Sequence, residues 1–147
     1  METRLYHQAI LAAAAEATGL GAIHEADARV TLDNPLCGDR VRMDVSLEGS
    51  RVSRLAHEVR GCLLCEAAAS VIGANAPGES LEDLRQVAAK VRAQLRGEAA
   101  PATLSWPALE MFAPVRGFRS RHDCVLLPFD ALVQALAQAQ ACGEDLA

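Results

Sequence analysis

The chain has 147 residues, of which 51% are hydrophobic and 3% aromatic, and its formal net charge is −5. That apolar content is enough for one domain with an aliphatic core, which excludes a disordered chain. The negative charge leaves no basic excess to neutralise phosphates, which argues against nucleic-acid and anionic-membrane binding. No apolar run approaches the roughly 20 residues that span a bilayer. We therefore expect a single cytoplasmic domain over residues 1–147.

The first half of the chain predicts one helix followed by a hairpin. Residues 4–18 are mostly good helix formers, and Gly19 ends this helix. Residues 24–30 are polar and predict a connector. Apolar and polar side chains alternate over residues 39–48, which predicts a strand, and residues 51–59 predict a second strand that pairs with it.

The second half of the chain is mainly helical in pattern. Small residues over 62–74 predict one helix, and Ser80 provides an N-cap for a second that reaches Arg96. We expect the remaining segments to be a loop at 97–103, a short helix at 106–112, irregular basic chain at 114–123 and a last helix at 130–141. The expected class is α+β, with a small antiparallel sheet of about three strands packed against four to six helices.

Cys37 and Asp39 are the first candidate site residues. They stand two positions apart at a strand entry, and side chains at i and i+2 of an extended segment point the same way. Gly38 between them lets the backbone bend. A thiolate and a carboxylate aimed at one point are typical of a metal site.

Cys62 and Cys124 are the cysteines that we expect to complete this site. Cys62 stands at a predicted helix N-terminus, where the helix dipole favours the thiolate. Cys124 follows a basic segment on a predicted loop, so we expect it to move and to act as the sulfur acceptor if sulfur chemistry occurs. Three thiolates and one carboxylate suit zinc or iron.

Three further residues leave alternatives open, and a fourth is assigned no role. Cys65 could form a Cys-x-x-Cys pair with Cys62 or could be a buried packing thiol, and packing is the favoured interpretation. Asp123 and His122 could touch the metal or could be solvated. Cys142 stands near the end of the chain, and we assign it no role.

Taken together, Asn-Pro-x-Cys-Gly-Asp, Gly-Cys after a hairpin and Arg-x-x-Cys before a last helix resemble the U-type iron–sulfur cluster scaffold family. This is the NifU N-terminal, IscU and SufU-like family, and the long helical insert between Cys62 and Cys124 is most similar to the SufU branch. The resemblance implies that Cys37, Asp39, Cys62 and Cys124 are the metal or cluster ligands. It also implies that Arg121 faces a partner desulfurase.

The resemblance implies a scaffold that accepts sulfur from a cysteine desulfurase, gathers iron, holds a transient [2Fe–2S] cluster and passes it to recipient apo iron–sulfur proteins. Such a scaffold need not be an enzyme, although sulfurtransferase activity is compatible with it. Two alternatives stay open: a zinc-dependent sulfur-transfer protein that accepts persulfide, and a structural zinc-binding module. We expect a monomer or weak dimer that binds neither nucleic acid nor membrane.

Overall fold

The computed structural model describes residues 2–36, 38–97 and 106–146. Within these ranges the chain forms a three-stranded antiparallel sheet, four α-helices and one 3₁₀-helix, which confirms the α+β class. The elements in chain order are α1 (Glu2–Glu16), β1 (Ala28–Asn34), β2 (Asp39–Glu48), β3 (Arg51–Arg60), α2 (Leu63–Asn75), α3 (Leu81–Arg96), the 3₁₀-helix (Pro107–Gly117) and α4 (Arg119–Leu146).

The sheet has the order β1-β2-β3, with β2 in the centre. Val41, Met43 and Val45 alternate along β2 and are fully buried in the core, where α4 packs against β1 and β2. The predicted strand at 39–48 is confirmed, and the second predicted strand extends by one residue to Arg60. Period-2 alternation on a half-covered sheet is a strong local signal, which explains the accurate boundaries.

The interpretation of residues 24–30 as a polar connector was wrong at its end, because β1 begins at Ala28. Ala28, Val30 and Leu32 alternate with polar residues, and their register against β2 places Ala28 opposite Val45. The polar residues Arg29, Thr31 and Asp33 of β1 are exposed, and Asn34 at its end is buried. An edge strand with one covered face carries fewer apolar residues, so its pattern is weak in the sequence.

The largest correction concerns the C-terminal third. Residues 114–123 were expected to be irregular, but the 3₁₀-helix continues to Gly117 and α4 begins at Arg119. The predicted last helix at 130–141 is therefore only the later part of α4. Pro128 explains the error, because proline usually breaks a helix, yet here it lies inside α4.

The continuous α4 also changes the expectation about long apolar segments. Residues Arg119–Cys142 form a helix that is long and apolar enough to cross a membrane by length and composition alone, and 61% of its apolar window is buried inside the domain. A core helix of a folded protein passes the same test, and the burial of Phe129, Leu132 and Leu136 makes α4 the central helix of the core.

Both ends of α3 match their local sequence signals. The hydroxyl of Ser80 accepts a hydrogen bond from the Asp83 backbone N–H at 3.1 Å, as expected for an N-cap. Gly97 ends the helix in the left-handed conformation with a φ of 73°.

A buried carboxylate anchors the connector between α1 and β1. Asp44 on β2 has no exposed side-chain surface, and its carboxylate accepts hydrogen bonds from Arg29 Nε at 2.8 Å and Arg42 Nε at 3.1 Å. It also accepts one from the Ile23 backbone N–H at 3.1 Å. Burial alone would raise the pKa of Asp44, but these hydrogen bonds and the charges of both arginines hold it below its ordinary value.

We expect the Asp44→Asn variant to lower the free energy of unfolding by about 2–4 kcal/mol at neutral pH, because it removes a buried and fully paired charge. The lowered pKa of Asp44 in the folded state means that the carboxylate stabilises the fold above about pH 4. That contribution is lost as the pH falls through the folded-state pKa, so the difference between wild type and variant should shrink in acid. Urea unfolding followed across pH measures it.

The matched control for this experiment is Asp33→Asn. Asp33 forms an ion pair with Arg40 at 2.6 Å, and both side chains are at least half exposed. We expect this variant to change the free energy of unfolding by less than about 0.5 kcal/mol. Equal losses in the two variants would contradict an anchoring role for Asp44.

Candidate metal centre

The sheet register brings Asp39 to the chain that leaves β3. Arg40 on β2 lies opposite Arg60 on β3, so Asp39, the first residue of β2, lies beside Gly61 and Cys62. The Cys62 backbone N–H donates to Asp39 Oδ1 at 2.9 Å, and Cys62 Sγ lies 3.9 Å from Asp39 Oδ2. One carboxylate oxygen is thus held by backbone, while the other faces a thiol.

Cys124 approaches the same point from α4. It lies in the second turn of that helix, and only 1% of its surface is exposed. Its Sγ, Cys62 Sγ and an oxygen of Asp39 all lie within 4.8 Å of one another. The structure therefore brings together three of the four predicted ligands from β2, from the start of α2 and from α4.

The donor set fits a metal ion. Zn–S and Zn–O bonds of about 2.3 and 2.1 Å in a tetrahedron place neighbouring ligand atoms about 3.5–3.8 Å apart, close to the observed Cys62–Asp39 separation. Asp39 is 2% exposed, and no arginine, lysine or histidine of the described residues forms an ion pair with it. A buried carboxylate without a cation is costly, and a bound metal ion would offset that cost.

Gly61 is a site residue that the sequence analysis did not single out. A Cβ at this position would lie 2.2 Å from Asp39 Oδ1, so only glycine lets the carboxylate reach the Cys62 N–H. The sequence shows a glycine directly before Cys62, but it does not indicate which residue this glycine contacts. Gly61 thus positions Asp39 without offering a ligand atom itself.

Cys37, the fourth predicted ligand, lies outside the described residues. Of the described residues on either side of it, Asn34 at the end of β1 pairs with Asp39 at the start of β2. The Gly38 N–H donates to the Asn34 carbonyl oxygen at 2.8 Å, and Gly38 has a φ of 74°. Ligation by Cys37 stays a prediction.

Cys65 has the environment of a packing thiol. It is fully buried in α2. Burial, together with the negative charges of Asp39, Cys62 and Glu66, raises the pKa of the Cys65 thiol well above its ordinary value. A thiol that stays protonated is a poor metal ligand, which agrees with the favoured interpretation of this residue.

His122 and Asp123 do not join the cluster of Asp39, Cys62 and Cys124. They line a separate cavity with Arg119, on the side of α4 that faces away from Cys124. Arg119, His122 and Asp123 follow the i, i+3, i+4 spacing of a single helix face. The basic residues expected to surround Cys124 are therefore divided between two faces.

Arg121 lies on the same side as the cluster. It lines an open groove of about 410 Å³ with Cys62. The other side chains of this apolar groove are His7, Ile10, Leu63, Leu64, Pro114, Val115 and Phe118. Cys62 is half-buried, so its thiol is accessible from the groove.

The chain is similar to known proteins in sequence and in fold. The chain is 27% identical over 110 residues to the iron-sulfur cluster assembly scaffold protein IscU of Streptococcus pyogenes serotype M1, covering 75% of this chain and 69% of that protein. It is 26% identical over 111 residues to the zinc-dependent sulfurtransferase SufU of Bacillus subtilis (strain 168), covering 76% of each.

A solved structure is similar over almost the whole chain. The N-terminal NifU-like protein of Brucella abortus superimposes with a TM-score of 0.86 at 31% identity, over 92% of this chain and 94% of that one. The family model for the NifU-like N terminal domain matches residues 5–138. The chain therefore belongs to the NifU-like N-terminal domain family of iron–sulfur cluster assembly scaffolds.

Proposed function

We propose that this chain is an iron–sulfur cluster assembly scaffold that binds iron or zinc through Asp39, Cys62 and Cys124, with Cys37 as the fourth ligand. The observation that carries the proposal is the convergence of a buried carboxylate and two thiols within 4.8 Å. A transient [2Fe–2S] cluster would be the cargo of this site, and recipient apo iron–sulfur proteins would take it.

Mixed ligation supports transient rather than permanent binding. A carboxylate is a harder ligand than a thiolate and matches soft metals less well. Asp39 is therefore the ligand that we expect to be released when sulfur or a second iron enters. The hydrogen bond from the Cys62 N–H to Oδ1 holds the carboxylate in place while Oδ2 exchanges.

The direct test is the metal content, acid-labile sulfide content and visible spectrum of the chain purified without oxygen. We expect about one metal ion per chain, bound by four ligands. Cys62→Ser and Asp39→Ala should each weaken metal binding by about tenfold or more, while Cys142→Ser, which changes an exposed thiol outside the cluster, should not.

Two outcomes would replace this proposal. Bound zinc with accessible thiols, sulfur transfer and no labile sulfide would favour a zinc-dependent sulfurtransferase, the activity that the Bacillus subtilis relative is named for. Zinc that is bound permanently, with no sulfur accepted, would indicate a structural zinc module. A chain that binds no metal would remove the proposed site altogether.

Gly61→Ala tests the geometry of the site without changing a ligand. The added Cβ would lie 2.2 Å from Asp39 Oδ1 and must displace the carboxylate. We expect the affinity for zinc to fall by about 10- to 100-fold, as for other changes to the groups that orient ligands. A competition titration against a chelator measures this affinity.

Gly117→Ala is the matched control, because a Cβ at Gly117 has nothing within 4 Å. Far-ultraviolet circular dichroism should be unchanged in both variants. Wild-type zinc affinity in Gly61→Ala would contradict the role of Asp39 as a ligand.

The structure changes the argument about the sulfur acceptor. Cys124 was predicted to accept sulfur because it was placed on a loop, but it lies in a helix and is 1% exposed. Cys62 is half-buried and opens onto the groove. We therefore propose that sulfur first reaches Cys62 or Cys37, and that Cys124 serves as a ligand.

In the sulfur step the acceptor thiolate attacks the terminal sulfur of a persulfide on the partner desulfurase. A new S–S bond forms on the acceptor, the persulfide S–S bond breaks, and the desulfurase cysteine leaves as a thiolate. The partner would enter across the groove, where the guanidinium of Arg121 would attract an anionic persulfide.

Incubation with a desulfurase and free cysteine, followed by peptide mass mapping, locates the sulfur. We expect an adduct of one sulfur atom on Cys62 or Cys37 while Cys124 stays unmodified, because its burial blocks attack. Cys142→Ser serves as the background variant that removes an exposed thiol. An adduct confined to Cys124 would contradict this proposal and identify Cys124 as the sulfur acceptor.

A further inference from the structure

A second cavity lies on the side of α4 opposite Cys124. We call it the arginine pocket and define it by Arg96, Arg116, Arg119, His122 and Asp123, which line it with Leu95, Gly97 and Leu126. Its volume is about 710 Å³. It shares no lining residue with the groove beside Cys62, and the cluster of Asp39, Cys62 and Cys124 takes no part in it.

Three different elements present the arginines. Arg96 is the last residue of α3, Arg116 belongs to the 3₁₀-helix and Arg119 begins α4. The Arg116 guanidinium covers Gly97, since a Cβ there would lie 3.2 Å from one of its nitrogens. The His122 Nε2–H donates to the Arg116 carbonyl oxygen at 3.1 Å, which fixes the 3₁₀-helix against α4.

No carboxylate of the described residues forms an ion pair with the arginines of the arginine pocket. Neither Arg96, Arg116 nor Arg119 forms a side-chain hydrogen bond or ion pair with any residue that the structure describes. Arginines on the sheet surface behave differently, since Arg40 and Arg42 pair with carboxylates at 2.6 and 2.9 Å. Among the described lining residues, Asp123 is the acidic side chain. In this described part of the lining, three guanidinium groups against one carboxylate leave an excess of two positive charges, in a chain whose net charge is −5.

We propose that the arginine pocket binds a small phosphate monoester, a site separate from the cluster function and independent of it. Guanidinium groups are planar donors that match phosphate oxygens two at a time. A monoester is mostly dianionic near pH 7.5, which balances the excess of two charges. The Asp123 carboxylate repels phosphate but accepts hydrogen bonds from hydroxyls, which selects an ester that carries hydroxyl groups.

The size of the cavity favours a small ligand over a protein segment. A volume of about 710 Å³ falls in the usual range of small-molecule sites, roughly 300–1,000 Å³. The ends of three helices form its walls and enclose a concave space. A surface that binds an acidic peptide would instead be an extended stripe of basic residues. An acidic peptide is therefore the competing ligand in the experiment.

The experiment is calorimetric titration of the intact chain with ribose 5-phosphate, with ribose and inorganic phosphate as matched probes at constant ionic strength. We expect saturable binding of ribose 5-phosphate, no binding of ribose and at least about tenfold weaker binding of inorganic phosphate. In the double variant Arg116→Gln and Arg119→Gln, the affinity for ribose 5-phosphate should fall by about tenfold or more, because each substitution removes charge-assisted hydrogen bonds to the phosphate.

The control is the double variant Arg4→Gln and Arg54→Gln, which removes the same charge from exposed arginines that do not line the pocket. It should bind ribose 5-phosphate like the wild type, and both double variants should keep the wild-type melting temperature. No saturable binding up to about 10 mM, an equal loss in the control, or equal affinity for inorganic phosphate would overturn the proposal. Preferential binding of a hexaglutamate peptide would overturn it as well.

Discussion

The buried carboxylate of Asp39 is the constraint on which the site depends. It lies where β2 begins, where β3 has ended and where α2 is about to begin, and one backbone hydrogen bond from Cys62 ties these three places together. Among the described residues, the donors to this carboxylate are the Cys62 backbone N–H and the Cys62 thiol. Burying a negative charge with so few donors is unfavourable unless a cation joins it. In this fold the carboxylate is buried at a position where two thiols are also present. Polar groups that are buried at a free-energy cost are typical of functional sites.

Helix α4 separates two kinds of chemistry. Cys124 on one face belongs to the cluster with Asp39 and Cys62, while Arg119 and Asp123 on the opposite face belong to the arginine pocket. A helix has only 3.6 residues per turn, so adjacent residues point in directions about 100° apart. Two residues that are adjacent in the sequence, such as Asp123 and Cys124, therefore lie on different surfaces of α4.

The sequence was informative where the signal is local. The alternation of β2, the Ser80 cap and the Gly97 terminus each arise from residues close together in the chain, and the structure confirms all three. Helix α4 was misjudged because Pro128 is a strong local breaker, and packing against the sheet overrides it.

The same distinction applies to the site. The convergence of Asp39, Cys62 and Cys124 could be predicted, because spacing and family resemblance mark these residues. The contact between Gly61 and the Asp39 carboxylate could not be predicted from the sequence. It depends on the register between β2 and β3, which no local sequence pattern encodes. The burial of Cys124, which decides its accessibility, likewise depends on where α4 packs.

The route of the chain through the ligand cluster has a thermodynamic consequence. An ion held by Asp39, Cys62 and Cys124 would cross-link a strand, a helix start and the central helix, closing long loops in the way that a disulfide does. Loading and folding would then be linked, so the metal-bound form resists unfolding more than the empty form by an amount set by its affinity. Delivery of the cargo would leave the scaffold less stable, and a recipient must bind strongly enough to offset that loss.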